Sequence, residues 1–188
     1  MKIKLLTVLV AIVAIFSGAV LTSCGNDEPA SPRAKTTTAE PSVYFVGSML
    51  DLFDITCTIN GQTTVLTRDN TTKVTHSLRT LRQYKLSTIT YSKFPASCKA
   101  SITCKLKDGV DLSSLFRSDY CLYAYMAYGN DNNNTWATQY NGTADLNYED
   151  NVDWSDMTSS EITKKYCKTR SVEVTFTTAN DVVCEYSK

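Results

Sequence analysis

The sequence predicts an all-β domain: an immunoglobulin-like β-sandwich first, with an up-and-down β-barrel as the alternative. Three observations carry this. Apolar and polar residues alternate with a period of two over 53–59, 98–107 and 172–177, the pattern of strands with one dry and one wet face. Asn60-Gly61 directly follows the first alternation and supplies the positive φ angles of a tight hairpin. Helical periodicity is nearly absent. Of the 188 residues, 43% are hydrophobic and 20% charged, which suits a globular chain and not a disordered one. The part from residue 42 onward, one domain of about 150 residues, buries about 68–70% of its unfolded surface and needs no cross-links for stability.

In chain order, Val43 to Val46 is a short apolar run. Phe53, Ile55, Cys57 and Ile59 alternate with Asp54, Thr56 and Thr58, and Thr63 to Thr67 is the return strand after Asn60-Gly61. Leu78 and Leu81 suit either a short helix before Tyr84 or a strand. Cys98, Ala100, Ile102, Cys104 and Leu106 oppose a wet face that includes Lys99, Lys105 and Lys107, and Asp108-Gly109 ends the strand. Tyr120 to Tyr128 is apolar or aromatic on both faces, as in a central covered strand. The one helix is expected near 158–167, where Thr158-Ser159-Ser160-Glu161 forms a capping box before Ile162 and Tyr166. Val172, Val174 and Phe176, the turn Ala179-Asn180-Asp181, then Val182, Cys184 and Tyr186 read as a closing hairpin.

Residues 1–23 read as a signal peptide. Lys2 and Lys4 precede an uninterrupted apolar run from Leu5 to Phe16, marginal in length for a membrane-spanning helix. Leu21-Thr22-Ser23-Cys24 resembles a bacterial lipobox, and the acidic pair in Gly25-Asn26-Asp27-Glu28-Pro29 resembles the surface-export signal of lipoproteins from the Bacteroidota. The resemblance implies cleavage before Cys24, lipidation of its thiol (including palmitate), and an outer-membrane protein anchored by lipid and displayed at the cell surface. Residues 24–41 carry three prolines and a threonine run and read as the lipidated cysteine plus a flexible tether; residues 42–188 form the single β domain. No domain family is recognised.

Composition excludes several classes of chemistry. The formal net charge is zero over the whole chain, and losing Lys2 and Lys4 with the signal leaves 17 basic against 19 acidic residues. No basic excess exists for nucleic acid. His76 is the only histidine and no C-x-x-C occurs, which argues against zinc. The common nucleotide-binding, zinc-protease and hydrolase motifs are absent, so the chain reads as a non-enzyme without a cofactor. Beyond Cys24, six cysteines (Cys57, Cys98, Cys104, Cys121, Cys167 and Cys184) are an even set that suits disulfides in an exported protein. Equally, they suit small core side chains on inward faces. Cys98 and Cys104 on one strand are about 20 Å apart and cannot pair with each other.

Two stretches suggest a binding surface. Tyr123 and Tyr125 on one face of the strand at 120–128 offer a tyrosine strip. The Asn/Asp-rich stretch 129–156 interleaves Trp136, Tyr140 and Trp154 with amides and carboxylates, the residue types that stack on sugar rings and take their hydroxyls. Asp131, Asn133, Asp150 and Asp153 offer oxygen ligands for a subsidiary calcium site, although the glycine and terminal glutamate of a calcium loop are missing. A carboxylate pair among Asp145, Glu149, Asp150 and Asp153 would suit a glycosidase, a minor alternative. The expected role is non-catalytic binding of a glycan or protein partner by a membrane-anchored module. The alternatives are a structural or adhesive subunit of a surface assembly, and a periplasmic inhibitor or chaperone-like protein.

Overall fold

A computed structural model describes residues 35–76, 78–131, 133–140 and 148–187. It is an all-β sandwich of two antiparallel sheets, and the barrel alternative is not realised. The first sheet has the order β10-β9-β1-β5-β4, with β6 also pairing with β1. Its strands are β1 (Thr37–Phe45), β4 (Thr72–His76), β5 (Arg79–Lys85), β6 (Ile89–Tyr91), β9 (Leu122–Asn130) and β10 (Asn133–Tyr140). The second has the order β13-β12-β7-β2-β3, from β2 (Phe53–Ile59), β3 (Gln62–Val65), β7 (Ala96–Leu106), β12 (Thr169–Thr178) and β13 (Asp181–Ser187). A separate two-stranded ribbon joins β8 (Ser118–Tyr120) to β11 (Glu149–Val152).

The alternations expected from sequence are the inward faces. Phe53, Ile55, Cys57 and Ile59 of β2, Cys98, Ala100, Ile102 and Cys104 of β7, and Val172, Val174 and Phe176 of β12 are all buried in one core. Asn60 and Gly61 have φ of 47° and 84°, and Ile59 pairs with Gln62 across them, so the predicted hairpin forms. Leu81 lies in strand β5 and is buried, which settles the undecided segment as strand. The expected capping box opens the helix at Ser159–Tyr166: Glu161 N donates to Thr158 Oγ1 at 3.2 Å, and Thr158 N donates to Glu161 Oε2 at 2.8 Å.

The β domain begins earlier than expected. Thr37 to Pro41, assigned to the tether from their composition, are strand residues of β1. Proline is tolerated here because β1 changes partner on one side at that point: Thr37–Ala39 pair with β6, and Ser42–Phe45 pair with β5. Pro41 O accepts from Leu86 N at 3.3 Å. A strand residue's N–H and C=O point to the same side, so the missing N–H faces the gap between the two partners, where no ladder bond is lost.

β1 also gives the sandwich its two ends. It pairs with β9 from Thr37↔Asn130 to Phe45↔Leu122. The near end, where β1 begins, holds the Asn60-Gly61 turn and the β12–β13 turn: Asn60 Nδ2 donates to Tyr91 Oη at 3.4 Å, and Asn130 Nδ2 to Ala179 O at 3.2 Å. The far end is built differently. A single helical turn, α1 (Met49–Leu52), follows β1, while the β8–β11 ribbon and the helix α2 (Ser159–Tyr166) close the core. Their aromatic rings meet there: Phe53–Trp154 at 5.7 Å, Phe53–Tyr120 at 6.5 Å, Tyr120–Tyr166 at 4.8 Å and Trp154–Tyr166 at 4.9 Å. Such edge-on contacts suit aromatic quadrupoles. The polar atoms of this plug are satisfied, with Trp154 Nε1 donating to Ser118 Oγ at 2.8 Å and Tyr120 Oη to Tyr166 O at 2.9 Å.

Candidate functional site

The outer surface of the far end combines exposed apolar side chains with ordered charge. The β4–β5 hairpin projects past β1: Phe45 pairs with Arg82, while His76 pairs with Arg79 at the hairpin's tip. Leu78 at that tip is 100% exposed with a φ of 66°. Left-handed backbone is sterically unfavourable for a γ-branched residue such as leucine, and no packing there compensates. Phe116, on the connection into β8, is 89% exposed. Each of these residues is followed by an arginine that the ribbon strand β11 and its flank hold in place. Arg79 binds Asp150 through both terminal nitrogens, and its guanidinium lies 3.6 Å from the centre of the Tyr148 ring. Arg117 Nε donates to Asp153 Oδ2 at 2.7 Å. Tyr148 in turn donates to Asp119, whose other oxygen accepts from Asn151 N at 3.0 Å. A helix contact completes the edge: Tyr166 Oη and Lys165 Nζ donate to Glu149 Oε2 at 2.8 and 2.9 Å.

A cleft of about 440 Å³ opens at the same end, between α1 and the edge strand β3. Its walls include Leu50, Phe53, Leu66 and Val65, with Arg68 and Lys107 on the rim. Val65 is 60% exposed. The rim is tied down: Arg68 pairs with Asp51 at 2.7 Å, and Lys107 Nζ donates to Leu50 O at 2.7 Å. The volume falls in the range of small-ligand clefts.

Two residues expected to bind, Trp154 and Tyr123, are buried instead. Trp154 is 0% exposed and belongs to the aromatic plug, so neither ring face is open to a sugar. Its sequence neighbourhood is polar, but the ribbon folds it under α2. Tyr123, 3% exposed, stacks on Tyr44 at 4.6 Å with Tyr125 packed edge-on to the same ring at 6.1 Å. The strip on this face therefore exists, but Tyr123 is spent on packing within it, and Tyr125 is half-buried. β10 pairs with β9 through Tyr140↔Tyr125; the side chains of Trp136 and Tyr140 lie outside the described residues, as does Cys24.

The calcium expectation is not supported by how its aspartates are used. Asp131 accepts from Lys35 N and Thr36 N at 3.0 and 3.2 Å and fixes the start of β1, whereas Asp150 and Asp153 bind separate arginines on the ribbon. The Asn133 side chain is outside the described residues. Among the described residues, no three His, Cys, Asp or Glu side chains gather where they could hold a metal ion. Two of the carboxylates weighed for glycosidic acid–base work, Asp150 and Asp153, are held as ions. Arg79 keeps the Asp150 carboxyl below its ordinary range; hydrogen bonds from Ser155, then from Arg117, do the same for Asp153. A general acid needs the opposite shift. Asp145 lies outside the described residues.

None of the six cysteines of the domain is in a disulfide, and Cys57, Cys98, Cys104 and Cys121 are buried. Burial pushes the Cys57 and Cys121 thiols up to about 12 and the Cys104 thiol up to about 11. These three thiols keep their protons at neutral pH.

Leu78 and Phe116 had no sequence signal of their own. Leu78 sits in a hairpin without glycine or asparagine, and Phe116 lies between Leu115 and Arg117 in a stretch with no clear periodicity. The pairing of Arg79 with Asp150 spans 71 residues and is invisible to local pattern. No protein-family model matches the chain, and neither the curated proteins nor the solved structures hold a significant match to it. No helix among the described residues is long and apolar enough to cross a membrane.

Proposed function

We propose that the chain is a lipoprotein of the outer membrane, held through lipid on Cys24 at the cell surface, whose domain binds a protein partner through its far end without catalysis. The observation that carries this is Leu78, fully exposed on left-handed backbone at a hairpin tip, with exposed Phe116 on another loop of that end. Strained, solvent-facing apolar residues are retained where they meet something. The arginines beside them are already oriented by Asp150, Tyr148 and Asp153. Aromatic residues and arginine are the types that concentrate binding energy at protein interfaces, and holding them in advance lowers the entropy cost of association. A protein partner is favoured over a glycan because Trp154 and Tyr123, expected as sugar platforms, are buried.

Among the described residues the chain enters β1 at the near end, opposite the proposed contact surface. Photo-crosslinking on intact cells tests both halves of the reading. A photoreactive phenylalanine analogue replaces Leu78 or Phe116, or, as the control, exposed Asn180 at the near end. A discrete crosslinked protein from 78 and 116 but not from 180 is expected. Crosslinks from 180 alone would overturn the far-end assignment. Loss of membrane association in Cys24→Ser is the expected result for the anchor, and its retention would remove it.

A further inference from the structure

We propose that Cys104 and Cys167 are a disulfide-forming pair that fastens the end of α2 to β7. Three contacts bring the two residues together. Cys104 Sγ donates to Tyr166 O at 2.9 Å, and Cys104 N donates to Lys168 O at 3.2 Å. The residues on both sides of Cys167 are therefore bonded to Cys104. In the other direction, Leu106 N donates to Cys167 Sγ at 3.2 Å, so that sulfur takes the place of a backbone carbonyl at the end of the β7–β12 ladder.

The backbone leaves room for a bridge. β12 begins at Thr169, opposite Thr103, so Cys167 lies just past the ladder as the residue that ends α2, and its side chain is not bound by the alternation of faces that governs strand positions. The bond from Cys104 N to Lys168 O keeps the neighbouring backbone about one strand spacing, 4.7–4.9 Å, from Cys104, and a disulfide takes Cα separations of about 4.4–6.8 Å.

The other cysteine pairs in the sheet do not meet this condition. Cys57 is opposite Ile102 and hence two steps diagonal to Cys104, at about 7–8 Å. Cys98 and Cys184 lie opposite Val174 from its two sides, two strand spacings or about 9.5 Å apart.

Accessibility sets the order of events. Cys167 is partly exposed while Cys104 is buried. A disulfide oxidant such as glutathione disulfide meets Cys167 first. The Cys167 thiolate attacks one sulfur of the oxidant, forms a mixed disulfide and releases one glutathione thiolate. Cys104 then loses its proton and attacks the Cys167 sulfur, displacing the second glutathione thiolate. Two protein thiols give up two protons and two electrons, and one glutathione disulfide becomes two thiols. Cys104 gives up its bond to Tyr166 O, and Cys167 the one from Leu106 N. Burial holds the Cys104 proton tightly, so the second step quickens as pH rises.

The consequence falls on the far end. α2 supplies Tyr166 to the aromatic plug and Lys165 to Glu149, so a bond at its C-terminus steadies the surface assigned to the partner. The pairing itself does not depend on that assignment.

The test uses the purified full chain equilibrated with glutathione disulfide at pH 8, alkylated and digested with trypsin. The expected product is the peptide Ala100–Lys105 joined to Tyr166–Lys168. Cys57→Ser keeps this product, Cys167→Ser abolishes it, and Cys104→Ser leaves glutathione on Cys167. Amide exchange in α2 is expected to slow at least tenfold on oxidation of the native chain and to be unchanged by the same treatment of Cys167→Ser. Free thiols at both positions after equilibration, or Cys167 joined to any other cysteine of the chain, would overturn the proposal. A crosslink without slower exchange would overturn the fastening.

Discussion

The two ends of the sandwich are closed by different means. At the near end, the chain turns with its own chemistry: Asn60 and Gly61 adopt positive φ, and Ile59↔Gln62 follows at once. At the far end, closure needs four aromatic rings from well-separated parts of the chain, Phe53, Tyr120, Trp154 and Tyr166. A local turn can change without moving its neighbours. A plug assembled from distant segments couples α2, β2 and the β8–β11 ribbon, and it supports the surface that carries Leu78, Phe116 and their arginines.

The largest effect is therefore expected at Trp154. Its ring is fully buried, and its Nε1 is paired with Ser118. Trp154→Ala is expected to lose about 3–5 kcal/mol in equilibrium urea unfolding, the usual range for removing a buried large aromatic ring. Gly61→Ala, at a φ of 84° with open space around its Cα, is expected to cost about 1 kcal/mol from the left-handed backbone alone. The comparison breaks if the turn variant proves the more costly of the two.

The same contrast explains what was legible in the sequence. Period-two alternation marked β2, β7 and β12, because each has one face on the core and one in solvent. Asn60-Gly61 and the Thr158–Glu161 capping box were readable because their bonds span at most three residues. Pro41 hid the first part of β1, since whether a proline breaks a strand depends on which neighbour its missing N–H would face, and that neighbour is β5 or β6. Trp154 was misread for a similar reason: aspartates flank it locally, but its burial comes from Phe53 and Tyr166. The exposed surface of the far end was the least legible, because Arg79–Asp150 and Arg117–Asp153 join residues 71 and 36 positions apart.

Leu78 sharpens the contrast in the opposite direction. A leucine at φ 66° with no contacts sacrifices stability, whereas asparagine tolerates the same backbone. Leu78→Asn is expected to stabilise the domain by about 1 kcal/mol, read as a rise in Tm of roughly 2–4 °C for a chain of this size. The same variant is expected to weaken partner capture by the far end. A fall in Tm would mean that Leu78 stabilises the fold, and would remove the strain argument for a contact surface.

The smallest effects belong to the charged rim. Asp150 and Asp153 have carboxyls held below their ordinary range, Asp150 by Arg79 and Asp153 by Ser155 and Arg117. A depressed folded-state pKa contributes stability above the unfolded value, near 3.9 for aspartate, and that contribution is lost as pH falls through the folded value. Stability from these groups is thus complete at pH 7 and disappears in strong acid. The Asp150 side chain is 57% exposed, where water and salt screen the pair. Asp150→Asn should therefore shift the urea midpoint only slightly at pH 7, less still in high salt, and progressively less as pH falls through the folded-state value of the carboxyl. Partner capture should fall much more than stability, because Arg79 loses the carboxylate that orients it over Tyr148. Equal losses in both measurements would make the ion pair a device of the fold. Loss of capture with stability intact would make it a device of the surface, the role that separates this end of the sandwich from the other.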